Sequence, residues 1–468
     1  MENTVSQSAQ MAITAPDNSW SSHLRATFAL GVPLVGAQLA QMAINTTDVI
    51  LVGWLGTTEL ASAVIATQMF FIVFIFGSGF SAAVVPMVAQ ALGRKDTVSV
   101  RRSVRMGLWV VTGYAMLTAP VLWFSQPILL RLGQAPDVAA MAESYLRIVQ
   151  WGIFPALWLM VLRSFLTGLE KGGIVLYVTI GMFLLNGVVA YLTIFGHFGA
   201  PKLGLHGAAI ASVCANLTGF ILSVLYIQRQ EVLKRYEVFV RFWRSDWPML
   251  GEIAMLGLPI SFTILAETGL FAAASLMMGN IGKLELAAHG IALQFASIAF
   301  MIPFGLAQVA TVRVGLAYGR RDMEGVRKAA LAAGFSAVCF TFVGGLIFAV
   351  FPRELGALFL DIRQADAQAV LDLAAPLIVI AGVFQLADGV QAVGAGLLRG
   401  LKDTRVPMIL ALIAYWPIGF ACAWVFAFPL GFKGEGIWFG FVLGLAAAAF
   451  LLCGRFWLLL QRQTKTAR

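Results

Sequence analysis

Apolar runs dominate this chain and set its architecture. Twelve hydrophobic windows recur, roughly at residues 25–54, 60–91, 105–127, 142–167, 173–196, 206–228, 250–280, 286–318, 329–351, 368–398, 405–429 and 435–460. Each is long enough to cross the ~30 Å hydrocarbon core of a bilayer as an α-helix. The predicted fold class is therefore an all-α polytopic membrane protein with twelve transmembrane helices and no sizeable soluble domain. The junctions between windows are short, except for a charged, aromatic-rich stretch at 229–249. It divides the chain into a polar N-terminal tail (1–21), an N-lobe (22–228), a connector (229–249), a C-lobe (250–460) and a C-terminal tail (461–468).

The two lobes repeat one another. Residues 30–96 align without a gap on 256–322, with 21 of 67 positions identical. Leu30-Gly31-Val32-Pro33 returns as Leu256-Gly257-Leu258-Pro259, and Gly93-Arg94-Lys95-Asp96 as Gly319-Arg320-Arg321-Asp322. A looser match continues later, where Gly168-Leu169 corresponds to Gly400-Leu401. Six helices per lobe is an even number, so both lobes insert in one orientation. The pseudo-two-fold axis relating them should run along the membrane normal, with a transport site near it.

Composition narrows the class further. Hydrophobic residues make up 60% of the chain and charged residues 12%, against about a quarter charged in soluble domains. The net charge of +9 is unevenly placed. Only Arg131, Arg147, Lys202, Lys283, Arg353, Arg363 and Lys433 fall on the side of the odd-to-even junctions, and the other 25 Lys/Arg fall opposite, with both termini. This bias predicts that both termini are cytoplasmic. Lipid headgroups then suffice as acidic partners, and no nucleic acid is needed. Cys214, Cys339, Cys422 and Cys453 form no close pair, so neither a disulfide framework nor a zinc site is expected. The first twenty residues lack a basic start followed by an apolar core, so no cleaved signal peptide is expected. No phosphate-binding loop is present, so ATP is not an expected energy source and no cofactor is implied.

Chemistry points to three carboxylates inside apolar windows: Asp48, Glu267 and Asp388. A charge at the bilayer centre costs at least ~2.5–3.5 kcal/mol and marks function by default. None of the three is repeated: Asp48 aligns with Ala274, Glu267 with Gln41, and Asp388 with Ala156. Glu59 and Glu285 are repeated, each at a helix start where an acid complements the dipole. Asp96 and Asp322 read as helix N-caps. Symmetric acids should build the fold and asymmetric acids should act in coupling, because no basic residue is expected at comparable depth. Gln38, Gln41, Asn45 and Asp48 share one helical face by their 3- and 4-residue spacings. Thr263, Glu267 and Phe271 form a second stripe, and Gln385, Asp388 and Gln391 a third. Asn186 and Gln294 add isolated amides. Such stripes should face a wet cavity, with Met42, Met69, Phe70, Phe71, Phe271, Met301 and Phe384 lining the rest of it for amphipathic cations.

On these residues the chain resembles the multidrug and toxic compound extrusion (MATE) transporters, in particular the NorM-like branch. The resemblance covers about residues 22–460. It rests on Gly31-Val-Pro, Asp48-Val-Ile-Leu-Val-Gly, Ala91-Leu-Gly-Arg, Gly257-Leu-Pro with Glu267 about three turns on, Phe384-Gln-Leu-Ala-Asp388-Gly-Val-Gln and Gly396-Leu-Leu-Arg-Gly-Leu-Lys-Asp403. It implies a V-shaped pair of six-helix lobes that exports organic cations against H⁺ or Na⁺. It further implies that Asp48 is a proton- or substrate-linked acid with Asn186 as its polar partner. Glu267 and Asp388 match the cation-site acids, with Na⁺ conceivable near them. Two departures stand out. Phe384 replaces a tyrosine of some relatives, removing an oxygen, and Ala190 replaces a second asparagine.

The expected function is a secondary multidrug antiporter acting by alternating access, expected to work as a monomer, and not an enzyme. Two alternatives stay open: an exporter of lipid-linked or other endogenous metabolites on the same fold, or a polytopic membrane enzyme. The first would favour cavity Arg or Lys, and the second a catalytic loop that the short junctions do not offer.

Overall fold

The structure, a computed structural model, describes residues 19–199, 201–360 and 366–466. Arg363 and most of the N-terminal tail therefore lie outside the described residues. Among these residues, twelve helices are long and apolar enough to cross a membrane. They are α1 (Trp20–Gly53), α2 (Glu59–Gly93), α3 (Thr97–Trp123), α4 (Pro136–Gly168), α5 (Gly172–Phe195) and α6 (Leu205–Arg229), then α7 (Trp247–Ile281), α8 (Lys283–Gly319), α9 (Met323–Val350), α10 (Ala367–Gly400), α11 (Arg405–Ala427) and α12 (Lys433–Thr464). These match the twelve apolar windows to within a few residues at most ends. Four helices, α1, α3, α4 and α9, start five or more residues before their apolar windows, and the starts of α1 and α4 have local reasons. The Ser19 hydroxyl caps α1 by accepting from the Ser22 N–H at 3.3 Å, and Pro136 opens α4 at a position where its missing N–H costs nothing.

The repeat is visible in the caps. Asp96 accepts from the Ser99 N–H at 3.0 Å, and Asp322 from the Gly325 N–H at 2.8 Å. The residues before them, Lys95 and Arg321, both adopt left-handed backbone (φ 58° and 62°). Glu59 and Glu285 fold back over Gly56 and Gly282 at the starts of their own helices. Those symmetric acids serve helix ends, as their placement predicted.

Repeated glycines build the contact between the lobes. A Cβ on Gly31 would lie 3.3 Å from Leu306, and one on Gly257 would meet Phe80, the repeat partner of Leu306, at 2.6 Å. Gly79 abuts the Ser261 backbone and Gly305 abuts Val35, again a repeat pair. Gly93 touches the Leu316 carbonyl and Gly319 the Gln90 carbonyl, a third such pair. Small residues let α1, α2, α7 and α8 approach backbone to backbone, which is how helices associate in lipid. Further cross-lobe bonds reinforce the seam. Ser261 Oγ donates to the Phe76 carbonyl at 2.5 Å, Gln90 Nε2 to the Gly400 carbonyl at 2.8 Å, and Arg313 Nη2 to His23 Nδ1 at 3.2 Å. Phe76 and Phe262 stack edge to face at 5.3 Å. All these contacts lie between the helix midpoints and the end that carries the basic loops, here called the basic end.

The connector is strapped to α3. Arg105 donates to the Arg241 carbonyl at 3.0 Å, Trp109 to the Phe242 carbonyl at 3.2 Å, and Arg101 pairs with Glu237 at 2.6 Å. Asp246 caps α7 and pairs with Arg102. The arginine at Asp246 holds its carboxyl below the usual range.

One expectation fails here. The sequence reading placed no basic residue at the depth of the acids, yet Arg163 of α4 and Arg399 of α10 reach into the lobes. Each starts near the basic end of its helix, and a long flexible stem carries its guanidinium inward.

Candidate functional site

Each lobe holds its own polar cluster. In the N-lobe, Asp48 Oδ2 accepts from Ser212 Oγ of α6 at 3.3 Å, while its Oδ1 is buried without a partner. Asn186 of α5, 1% exposed, faces this carboxylate, and both its amide atoms lack a well-formed hydrogen bond. Tyr145 of α4, also buried, lies within electrostatic reach of Asp48. Two turns toward the basic end, Gln41 Oε1 accepts from Arg163 Nη1 at 3.2 Å, and Arg163 Nη2 donates to Thr179 Oγ1 at 2.9 Å. Gln41 thus belongs to the arginine and not to the acid. Gln38 is half-buried and Asn45 exposed, so the α1 stripe divides between cluster and cavity surface.

In the C-lobe, Glu267 of α7 and Asp388 of α10 interact electrostatically, with the Arg399 guanidinium within reach of Glu267. Asp388 is 4% exposed and its Oδ1 has no hydrogen-bond partner. Gln391, one turn on, donates from Nε2 to Tyr415 Oη at 2.5 Å. Tyr415 sits in a π-helical stretch, Ala414–Phe420, within α11. Pro417 lies inside it, lacks a backbone N–H and disrupts the α-helical ladder, and a widened turn is one way to absorb that. The widened turn presents Tyr415 toward Glu267, Asp388 and Arg399.

The remaining sequence candidates lie around these clusters or away from them. Phe384, 1% exposed, packs in an aromatic cluster with Phe271 (6.1 Å), Trp438 (5.6 Å) and Phe441 (6.2 Å), not on an open cavity. Gln385 is turned to α9, where a Cβ on Gly344 would lie 3.0 Å from its Oε1. Each three-residue step along α10 rotates the position by about 60°, so Gln385 and Gln391 stand about 120° apart and the proposed stripe splits. Gln294 is half-buried on α8. Thr263 is buried and donates to the Pro259 carbonyl at 2.8 Å, one turn below Glu267.

The MatE family model matches residues 33–192 and 259–425, one segment in each lobe, each starting at the repeated proline. The chain belongs to the MATE family. It is 64% identical over 452 residues to a "Probable multidrug resistance protein NorM" of Rhizobium meliloti (strain 1021), covering 97% of each chain. It is 34% identical over 430 residues to a protein of the same name from Synechocystis sp., covering 91% of this chain and 93% of that one. Among solved structures, it resembles a MATE protein in complex with MaL6 (TM-score 0.86, 20% identity, 95% of this chain and 97% of that one). It also resembles the eukaryotic MATE transporter AtDTX14 (TM-score 0.85, 21% identity, 96% and 99%). At such identities these two likenesses speak for the fold, a MATE fold of two six-helix lobes.

Within this MATE protein, the site residues missed from sequence are Tyr415, Arg399, Arg163, Ser212 and Tyr145. A signal existed for Tyr415, since Pro417 lies two residues away in an apolar window. Arg163 and Arg399 looked like ordinary helix-end cations. Their partners became apparent only through packing. The departure at Phe384 also changes meaning, because Tyr415 brings a hydroxyl to the cluster from another helix.

Proposed function

We propose that the chain is a secondary antiporter that exports amphipathic organic cations in exchange for H⁺ or Na⁺ by alternating access. One observation carries this reading. Three unrepeated carboxylates sit inside the lobes, and Asp48 and Asp388 each keep a buried oxygen without a partner. Such an oxygen gains a bond when it receives a proton or a small cation, so the site has something to exchange. The charge count fits. Asp48 and Arg163 balance in the N-lobe. Glu267 and Asp388 exceed Arg399 by one negative charge in the C-lobe, which one monovalent cation neutralises. The seam of repeated glycines gives the lobes a surface on which to rock, and the basic end is taken as the cytoplasmic side.

A proton needs one carboxylate, whereas Na⁺ favours several oxygens. Phe384 offers none, which favours H⁺. The Tyr415 hydroxyl beside Asp388 and Glu267 favours a Na⁺ contribution, and it is the specific support for that second reading. Proteoliposomes preloaded with a fluorescent organic cation and exposed to imposed pH or Na⁺ gradients test both. Efflux driven by either gradient sustains antiport and names the ion. Efflux indifferent to both would overturn it.

A further inference from the structure

We propose that a small cavity with one polar wall, at the basic end of the C-lobe, is the passage by which the coupling cation moves between the Glu267–Asp388 cluster and that face of the membrane. Arg399, in its wall, is the positioning residue that keeps the passage from leaking. The inference rests on the antiport reading and extends it to a route.

The cavity encloses about 20 Å³ open to the centre of a water molecule, above the ~10–15 Å³ that one water requires. Its polar wall is Thr263, Arg399, Asp403 and Thr404, with Ile260 and Leu452 on the apolar side. A water needs two to four polar partners, and this wall supplies them. Thr404 stands at the N-cap of the first part of α11, where a threonine hydroxyl ordinarily accepts from the helix's own N–H groups. It makes no such bond here. Its Oγ1 is buried without a partner, and the residue is 6% exposed, so the hydroxyl is left for whatever fills the cavity. Toward the membrane interior the line continues through Thr263, one turn from Glu267 on the same face, and through Arg399, which interacts with Glu267. Toward the basic end, Asp403 is held by Arg455 Nε at 3.0 Å and keeps partial exposure. The other charged groups close by are Lys402 and Glu252, paired with each other at 2.6 Å.

The repeat does not carry this polar wall into the N-lobe. Thr263, Arg399, Asp403 and Thr404 correspond to Ala37, Thr167, Lys171 and Gly172 in the repeat. Gly172 packs against Leu30 and Leu34, where a Cβ would meet atoms at 3.1–3.3 Å. The polar line is therefore as asymmetric as the acids it leads to. A permanently charged guanidinium between the acids and the basic end repels a cation that would slip through without substrate. When the cluster changes charge during transport, the same guanidinium can turn toward or away from Glu267 and open the line.

The test uses the full chain in proteoliposomes without organic cation. A valinomycin-set K⁺ diffusion potential drives leak, and an internal dye reports H⁺ in one arm and Na⁺ in the other. Arg399→Gln should raise the leak of the coupling ion at least tenfold over wild type, and Arg399→Lys should keep it low. Thr404→Val, which removes a polar partner of the cavity water, should slow ion-driven efflux at least tenfold without changing the leak of the non-coupling ion. A wild-type leak in Arg399→Gln, or unchanged efflux in Thr404→Val, at matched reconstitution, would overturn the passage. If wild-type protein shows no ion-driven efflux at all, the antiport reading itself has failed, which is a different result.

Discussion

Arg313 is the sharpest handle on the seam. It belongs to α8 of the C-lobe, is 8% exposed, and reaches across to two N-lobe residues. Its Nη2 donates to His23 Nδ1 at 3.2 Å, and its Nη1 lies 3.8 Å from Glu170 Oε1. An arginine has only donors, so the contact requires Nδ1 to act as acceptor and the His23 proton to sit on Nε2. The repeat partner of Arg313 is Met87, 2% exposed, so Arg313→Met installs a residue the fold already packs at that position in its other lobe. At 3.8 Å a charge pair is worth about 4 kcal/mol at an effective dielectric of 20. Glu170 is 27% exposed, and burying the guanidinium costs much of that gain, so the net loss should be about 1–2 kcal/mol. Each ~1.4 kcal/mol is tenfold in an equilibrium, so the population separated at the basic end should rise roughly five- to thirtyfold. Spin labels at Lys95 and Arg321, exposed repeat partners on opposite lobes, would report it by pulsed electron resonance. Wild type should give one short distance, and Arg313→Met should add a longer one. Identical distributions in the two proteins would refute the idea that this clasp biases the lobes.

Four further outcomes are expected. Asp48→Asn, Glu267→Gln and Asp388→Asn should each cut efflux at least tenfold at matched expression. Glu267→Gln should also lower the melting temperature more than Asp388→Asn, because it strips Arg399 of its nearby carboxylate. Gly79→Ala and Gly319→Ala, which push a methyl into the opposite lobe's backbone, should slow transport, whereas Gly113→Ala, with open space around it, should be silent in the same dye-efflux assay. Asp246→Asn keeps an N-cap but loses the charge facing Arg102. Because the folded-state pKa is depressed, the stabilisation is present above the ordinary value near 4 and fades as pH falls through the lowered one. The variant should unfold more easily by about 1 kcal/mol at pH 7, with the difference shrinking below pH 4 in thermal melts. Gln41→Glu gives Arg163 a carboxylate, as Glu267 gives Arg399, and should raise the number of coupling cations moved per substrate, measured as the ion-to-substrate flux ratio.

Hydrophobic run length made the twelve helices legible, because a bilayer leaves no other use for an apolar segment of that length. The internal repeat likewise separated Glu59 and Glu285, which fold over their own helix starts, from the unrepeated acids. What pattern could not supply was direction across space. Arg163 and Arg399 looked like interface cations, because depth along a helix says nothing about how far a five-atom stem leans inward. Phe384 looked like a cavity residue because it shares a face with Asp388, yet Phe271, Trp438 and Phe441 close over it. Tyr415 escaped notice because an α-helical periodicity misplaces every residue of a π-helical turn, and only the widened turn aims its hydroxyl at the cluster.

The repeat also explains how one fold can both move symmetrically and work in one direction. At three places along the seam, a glycine in one lobe meets a residue whose repeat partner meets the matching glycine in the other. Such a seam favours neither lobe, and rocking about it exchanges like contacts. A symmetric machine of this kind has no reason to couple anything. The inequality that matters for coupling lies in charged and polar side chains: Asp48 opposite Ala274, Glu267 opposite Gln41, Asp388 opposite Ala156, Arg313 opposite Met87. Position 41/267 shows the logic most directly, since each lobe sets an arginine of its own fourth helix against it. Where that residue is an amide, the guanidinium bonds to neutral groups, Gln41 and Thr179, and the acid lies elsewhere, at Asp48. Where it is a carboxylate, acid and guanidinium come together, and Asp388 adds a second negative charge. On the antiport proposal, the C-lobe cluster is then the one that takes up a cation to become neutral, and the N-lobe cluster stays neutral while Asp48 exchanges one partner for another.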